Sequence, residues 1–376
     1  MPAPNGTVES STLARSCWPT HVPSKKAPSA HRTDVPQAIV TTGYRTRATH
    51  ASGGISALGR YSNFQSDTAR DDMGVVEDIE APRSGSGRRL FERIPDPYRG
   101  WLDARRARRW LRAVRFARAH NVRLPADAPA VSFFPMRLEP TAALAYVVQR
   151  LGVRIAPFSG KADLTVAWHT GTWIAARDID RLPPDALNRR CSDIAKSTVD
   201  MLWAKAAGYS IVVDPTCWRG QMVIKPEANA VRGGRIVAGP LPVAQAGVAY
   251  ERLVDSRAGA RIHSTRAFVA RGEVILAYDR WRPYPHWFRG PEETTPVAAH
   301  EAYSADERAT LVRFAQLIGL DFGEIDVIRD NESGLIYGVD ANRTPVRPRS
   351  LPHEYDDAVF GPLSEAFAQV LADVRG

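Results

Sequence analysis

Four side chains towards the C-terminus, Glu324, Asp326, Asp340 and Asn342, have the types and spacing of a cation-binding face. Two short apolar runs, residues 324–328 and 335–339, flank the polar segment 330–334, whose Asp, Asn, Ser and Gly suit a hairpin turn. With the turn centred on Ser333, Asp326 falls opposite Asp340 and Glu324 opposite Asn342, and paired residues share a face of the sheet. Alternation then places Ile325, Val327, Tyr337 and Val339 on the other face. A one-residue slip would mix the two sets, which supports this register. Opposed carboxylates destabilise a sheet unless something neutralises them, so a divalent cation is the expected partner.

Cationic groups stand upstream, and each needs an element to aim it. The order Ser197-Thr198-Val199-Asp200 predicts a capping box opening a helix to Ala207, with Gly208 as its stop. Lys196 therefore sits at the helix N-terminus, where the dipole already favours anions. A strand over 221–225 ends in Lys225, and a loop of small residues, 226–234, follows with Asn229 inside it. The apolar run 248–254 carries Glu251 and is closed by Asp255. Strands over 261–270 and 274–281, joined by Arg271-Gly272, present Arg266, with Arg280 and Arg282 at the far end. Lysines act as point charges on phosphates, and arginines as forked partners for carboxylate or phosphate. A second capping box, Ser304-x-x-Glu307, predicts a helix bearing Leu311, Phe314, Ala315 and Ile318 and ended by Gly319. A last helix is predicted over 363–374.

The remainder of the 376-residue chain bounds the setting. That length suffices for two or three domains with real cores. The net charge of +9 suits anionic ligands without deciding the fold. Three scattered cysteines, Cys17, Cys191 and Cys217, predict neither a disulfide framework nor a paired-Cys zinc site, which points to a reducing cytoplasm. No apolar run approaches the ~20 residues of a spanning helix. Residues 1–89 are rich in Ser, Thr, Pro, Gly and Arg with no sustained period, and are expected to be disordered or an extension beyond the true start, with Met73 as one alternative start. A helix over 101–120 carries Ala107, Trp110, Leu111, Val114 and Ala117 on one side and Arg105, Arg108, Arg109, Arg112 and Arg115 on the other. Basic–aromatic interleaving of the nucleic-acid kind is absent, so nucleic acid is not the expected partner and a solvated helix face is the plainer reading. A β-α-β pattern follows, with strands over 130–134, 153–156 and 164–168 and a helix over 138–151 entered at Pro140. This predicts an α/β chain of the α+β type, with domain boundaries near 90–187 and 188–376.

P-loop, HExxH, GxSxG and dinucleotide GxGxxG signatures are missing in the contexts they require. A helix-start lysine, a strand-end lysine, a carboxylate-bearing strand, an arginine hairpin and an acidic hairpin ending in Asp-x-Asn remain. In that order, over residues 188–345, they resemble the ATP-grasp superfamily. The segments that carry the resemblance are DIAKSTVDMLWAKAAGYSIVVDP, MVIKPEANA, YERLV, the Arg266 strand and EIDVIRD…YGVDANRTP. The resemblance implies two α+β subdomains clasping ATP behind a small α/β domain. It implies Lys196 and Lys225 on the nucleotide phosphates, Glu251, Arg252, Leu253 and Val254 lining the adenine pocket, with backbone contacts from Arg252 and Val254, and Asp255 near the ribose. It further implies Arg266 on phosphate or acyl-phosphate, and Asp326, Asp340 and Asn342 as Mg²⁺ ligands. Asp340 stands where many members carry Glu, and the loop 226–234 is the nearest counterpart of the usual glycine-rich flap. Arg280 and Arg282 are expected to grip the acceptor, and Glu324 to play a supporting role. The implied activity is ligation of a small-molecule carboxylate, activated as an acyl-phosphate, to an amine or thiol, with a homodimer left open. The alternatives are a kinase or phosphotransferase acting on a small molecule or sugar, and a nucleotide-binding module without turnover.

Overall fold

The computed structural model describes residues 96–229, 231, 233–288 and 292–375, with side chains from residue 104 onward except 105. The expected extension over 1–89 and the alternative start at Met73 lie outside them. Helix α1 (Asp96–Asn121) leads into a parallel sheet ordered β2-β1-β3, built from β1 (Ala130–Pro135), β2 (Arg154–Ala156) and β3 (Leu164–Trp168). Helix α2 (Ala143–Leu151) connects β1 to β2 and stops at Gly152, whose φ of 63° is cheap for glycine. It starts five residues later than its pattern suggests, because Ala142 is extended and bridges Val346 instead of joining the helix. A short turn of helix, α3 (Ala176–Ile179), closes this region.

Helix α4 (Lys196–Ala207) precedes an antiparallel sheet ordered β5-β4-β6, from β4 (Gln221–Pro226), β5 (Arg235–Ala238) and β6 (Val248–Arg252). A larger antiparallel sheet ordered β10-β9-β8-β11-β12 follows, with the two-residue β7 (Arg257–Ala258) paired on β8. Its strands are β8 (Arg261–Ala270), β9 (Glu273–Pro283), β10 (Glu293–Ala298), β11 (Phe322–Arg329) and β12 (Ile336–Asn342). Helices α5 (Ala299–Ala302) and α6 (Ala305–Ile318) lie between β10 and β11, and α7 (Asp356–Arg375) ends the described chain. The Ser304/Glu307 capping box of α6 is present in both directions. The β8–β9 turn puts Arg271 and Gly272 at φ 53° and 75°, the paired left-handed geometry of a tight hairpin. Helix α7 starts earlier than expected and carries Pro362 inside it, with the turn before the proline anchored by buried Val359 and Phe360. The α+β class holds, while β5 has only four residues and β10 carries Glu, two Thr and a Pro, so neither stands out in sequence. Cys191 is a buried free thiol. Among the described residues no helix is long and apolar enough to cross a membrane.

The two faces of the large sheet do different jobs. One face buries Ala267, Val269, Ala277, Ile325 and Val327 against α4 and α6, through Val199, Trp203, Leu311 and Phe314. On the other face, Phe268, Leu276, Tyr278 and Phe322 pack on α7, which in turn packs on α2. Further along the same face the apolar residues give way to Arg266, Arg280, Glu324 and Asp326. Trp203 lies over Gly338, where any Cβ would stand 2.5 Å from the indole. That close approach seats α4, and hence Lys196, beside β12.

Candidate active site

The acidic hairpin has the expected register at its chemical end: Glu324 pairs with Asn342 and Asp326 with Asp340. Beyond Asp326 a β-bulge shifts the pairing, so Val327 meets Gly338 and not Val339. Val339 is only half-buried and Tyr337 now pairs with Ile328, so of the four expected apolar residues Ile325 and Val327 keep their face.

The neutralising charges on this face are side chains of the chain itself. Arg266 forks onto Asp326, Nε to Oδ1 at 2.5 Å and Nη2 to Oδ2 at 3.0 Å, and its Nη1 donates to Glu324 Oε2 at 3.2 Å. Arg280 Nη1 reaches Asp326 Oδ2 at 3.2 Å, while its Nε and Nη2 clasp Glu292 at 3.0 and 2.9 Å. Arg282 also bonds Glu292. Lys196 Nζ sits 2.6 Å from Asp340 Oδ1. Burial would raise the Asp326 carboxyl, but Arg266 and Arg280 override it and hold that group well below the usual carboxylate range. Glu324, fully buried, is pushed up to about 7 by desolvation although Arg266 pulls the other way.

A second polar cluster lies behind the lysines. Lys225 Nζ bonds Glu251 Oε2 at 2.6 Å. Burial alone would depress Lys225; Glu251 reverses that and raises it. Asp200, on α4, is pushed up to about 8 by desolvation and then by Glu251, and both its oxygens are buried without a hydrogen-bond partner. The predicted capping box at Ser197 is not formed, since Asp200 points into this cluster and the N-cap residue is Ala195. Remote carboxylates serve the helix start instead. Ser197 N–H and Oγ donate to Glu227 Oε2 at 3.0 Å each, and Asp193 Oδ2 accepts from Thr198 Oγ1 at 2.8 Å. Glu227 and Asn229 bring the loop after β4 onto α4, with Lys196 Nζ 3.4 Å from Asn229 Oδ1.

The structure gathers Lys196, Arg266, Arg280, Arg282, Asp326, Asp340 and Asn342 on one connected polar face, with Lys225 and Glu251 adjoining it through Asp200. The adenine-pocket residues are placed differently from one another. Glu251 faces inward to Lys225, and the Arg252 amide donates to Ile211 O at 2.7 Å, so it is not free for a base contact. The Arg252 side chain bonds Asp330 at 3.0 Å and Tyr337. The Leu253 amide donates to Gln221 O, Val254 is buried, and Asp255 forks onto exposed Arg257. Sequence reasoning passed over Glu292, which holds two arginines from a loop with no motif, and Asp200. It also passed over Arg343, wholly buried and donating to the carbonyls of His169, Cys191 and Gly171.

Hard oxygen donors suit Mg²⁺, and the Asp326/Asp340/Asn342 set supplies them. Glu324 Oε1 adds a buried carboxylate oxygen with no partner on the same face. The donor types suit a divalent cation, but among the described residues no three carboxylates are grouped as metal ligands, and Lys196 and the arginines hold the ones on this face.

No protein-family model and no curated protein matches the sequence. Solved structures do match. The ATP-grasp ligase PsnB bound to a minimal precursor is 19% identical over 51% of this chain and 65% of that one, with a TM-score of 0.36. The same ligase with a phosphomimetic precursor variant, Mg and ADP is 14% identical over 67% of this chain and 100% of that one, with a TM-score of 0.43. The VanG D-Ala:D-Ser ligase from Enterococcus faecalis is 13% identical over 66% of this chain and 98% of that one, also at 0.43. The element order is closer to hand: a small parallel sheet, then two antiparallel sheets that together present lysines, arginines and carboxylates to one cleft, the arrangement that the sequence resemblance implies. The small sheet β4–β6 forms one unit, and the large sheet with α4, α6 and α7 the other.

Proposed function

We propose that this protein is an ATP- and Mg²⁺-dependent ligase that activates a small-molecule carboxylate for attack by an amine. The observation that carries the reading is the lysine–carboxylate exchange set: Lys196 on Asp340, Lys225 on Glu251, and Arg266 shared by Asp326 and Glu324. Each cation is matched in charge by a group that an incoming phosphate would replace. Nucleotide phosphate arriving at Lys196 would release Asp340 for a cation, and a cation at Asp340 would release Lys196, so the two ligands would bind with positive coupling. Bound Mg²⁺ supplies charge neutralisation on the phosphates. Lys196 and Lys225 hold phosphate oxygens, and Asp326, Asp340 and Asn342 hold the cation. Arg266 and Arg280 stabilise charge on the transferring group, a task of positioning and electrostatics. Neither cysteine is required as a nucleophile.

His263, the nearest candidate for a phosphohistidine route, lies on the opposite face of β8 from Arg266, stacked on Trp281 and bonded to Asp279 at 3.0 Å. That placement counts against a phosphohistidine route. The discriminating experiment is nucleotide turnover against a panel of carboxylates and amines. ADP and phosphate appearing only when both substrates are present supports the ligase; a stable phosphorylated product formed without any amine overturns it. Thermal protection by ATP with Mg²⁺ is expected in the wild type and lost in Asp340→Ala.

A further inference from the structure

A cavity of about 790 Å³ opens at the carboxyl ends of the parallel strands β1, β2 and β3, under helix α1. Its size falls in the range of roughly 300–1,000 Å³ typical of small-molecule sites, and the carboxyl end of a parallel sheet is where α/β units bind ligands. Part of its wall is flat and aromatic: Phe134 stacks on Phe158 at 4.0 Å with 21° between the rings. Its charge is one-sided, since four arginines line it and Glu139 is the one carboxylate among the lining residues.

Two of those arginines, Arg137 and Arg181, are held unusually. Arg181 lies over the Phe134 ring at 4.4 Å and over Phe158 at 5.6 Å, and Arg137 lies over Trp110 at 5.4 Å. Among the described residues neither has a carboxylate partner; Glu139 is taken by Arg109 at 2.6 Å. An aromatic face orients a guanidinium without cancelling its charge, and leaves the donor fork available. His169, which also lines the cavity, is lowered to about 4 by burial and then by Arg343, and its Nδ1 accepts the Gly171 amide at 3.0 Å. It is therefore a neutral ring at physiological pH.

The same wall borders the cleft. The segment 169–173 gives two carbonyls to Arg343, next to Asn342, and Thr172 Oγ1 accepts the amide of Asn229, whose side chain meets Lys196.

We propose that this cavity binds a carboxylic acid with a flat aromatic body, its ring against the Phe134–Phe158 and Trp110 walls and its carboxylate on the forks of Arg181 and Arg137. That this acid takes part in the reaction rests on the ligase reading above; the binding itself does not.

The test is titration without nucleotide, following the fluorescence of the cavity tryptophans Trp110 and Trp173, with calorimetry as a second readout. Phenylacetate should bind saturably, phenylacetamide and cyclohexylacetate at least ten times more weakly. Arg137→Gln and Arg181→Gln, both at exposed positions and so expected to fold, should each weaken phenylacetate about tenfold or more. Lys205→Gln, at an exposed position on α4 outside the cavity lining, should leave its affinity unchanged. Equal binding of the amide, unchanged affinity in the Arg137→Gln/Arg181→Gln double variant, or no saturable binding would overturn the site. Intact binding in a protein that turns over no ATP with any acid and amine would overturn the ligase reading while leaving the cavity site standing.

Discussion

The protein keeps two sets of arginines in two different ways. In the cleft, Arg266, Arg280 and Arg282 are each locked to carboxylates, with Asp326, Glu324 and Glu292 between them. In the cavity above the parallel sheet, Arg137 and Arg181 lie on aromatic rings. The cleft lies deep enough that an unpaired guanidinium would be costly, so charge is matched locally and becomes available only by exchange. The cavity is open enough that water solvates the cation, and the ring fixes only its direction. Paired arginines build a machine that is neutral until its ligands arrive, whereas stacked arginines build one that is charged from the start.

Removing a paired arginine should therefore hurt far more than removing a stacked one. Arg266→Met leaves Glu324 and Asp326 without their shared partner, and is expected to cost about 3–5 kcal/mol in urea unfolding. Adding Asp326→Asn should restore part of that loss, and a double-mutant cycle showing no coupling between the two would break the comparison. The next effect belongs to Asp200. Its folded value of about 8 lies above the ordinary 3.8, so the folded state holds a proton that the unfolded state releases. The stability it provides is complete below the unfolded value and is lost as pH rises through about 8. Asp200→Asn should accordingly flatten the fall in melting temperature between pH 5 and 9, with a gain at the alkaline end on the order of a few kcal/mol. Arg181→Gln should be the mildest, costing at most about 1 kcal/mol as an exposed cation–π contact. A loss as large as that of Arg266→Met would show that the two sets are not held differently after all.

Legibility followed the range of the interactions. The pairing of Asp326 with Asp340 could be counted along the chain, because a two-residue side-chain period ties face to position across one turn. The capping box at Ser304 and the Arg271-Gly272 turn were equally local. The same reasoning misjudged Ser197, where the identical pattern of residue types is overruled by Glu227 and Asp193 from elsewhere and by the burial of Asp200. The bulge after Asp326 was hidden as well; it sets Val327 opposite Gly338, where Trp203 leaves no room for a Cβ.

Sequence by itself determined the inventory: which strand carries the acids, which helix starts with Lys196, which hairpin bears Arg266, and an order that resembles the ATP-grasp one. Only the tertiary structure decided who neutralises whom. From the chain alone the acidic face wanted a divalent cation; in the fold Arg266, Arg280 and Lys196 already hold it. Partners drawn from β8, β9 and α4 have no fixed spacing to β11 and β12, so their charges meet only once the sheet order and the seating of α4 are set. Coulombic pairing acts through space at a few ångströms, and sequence distance carries no record of it.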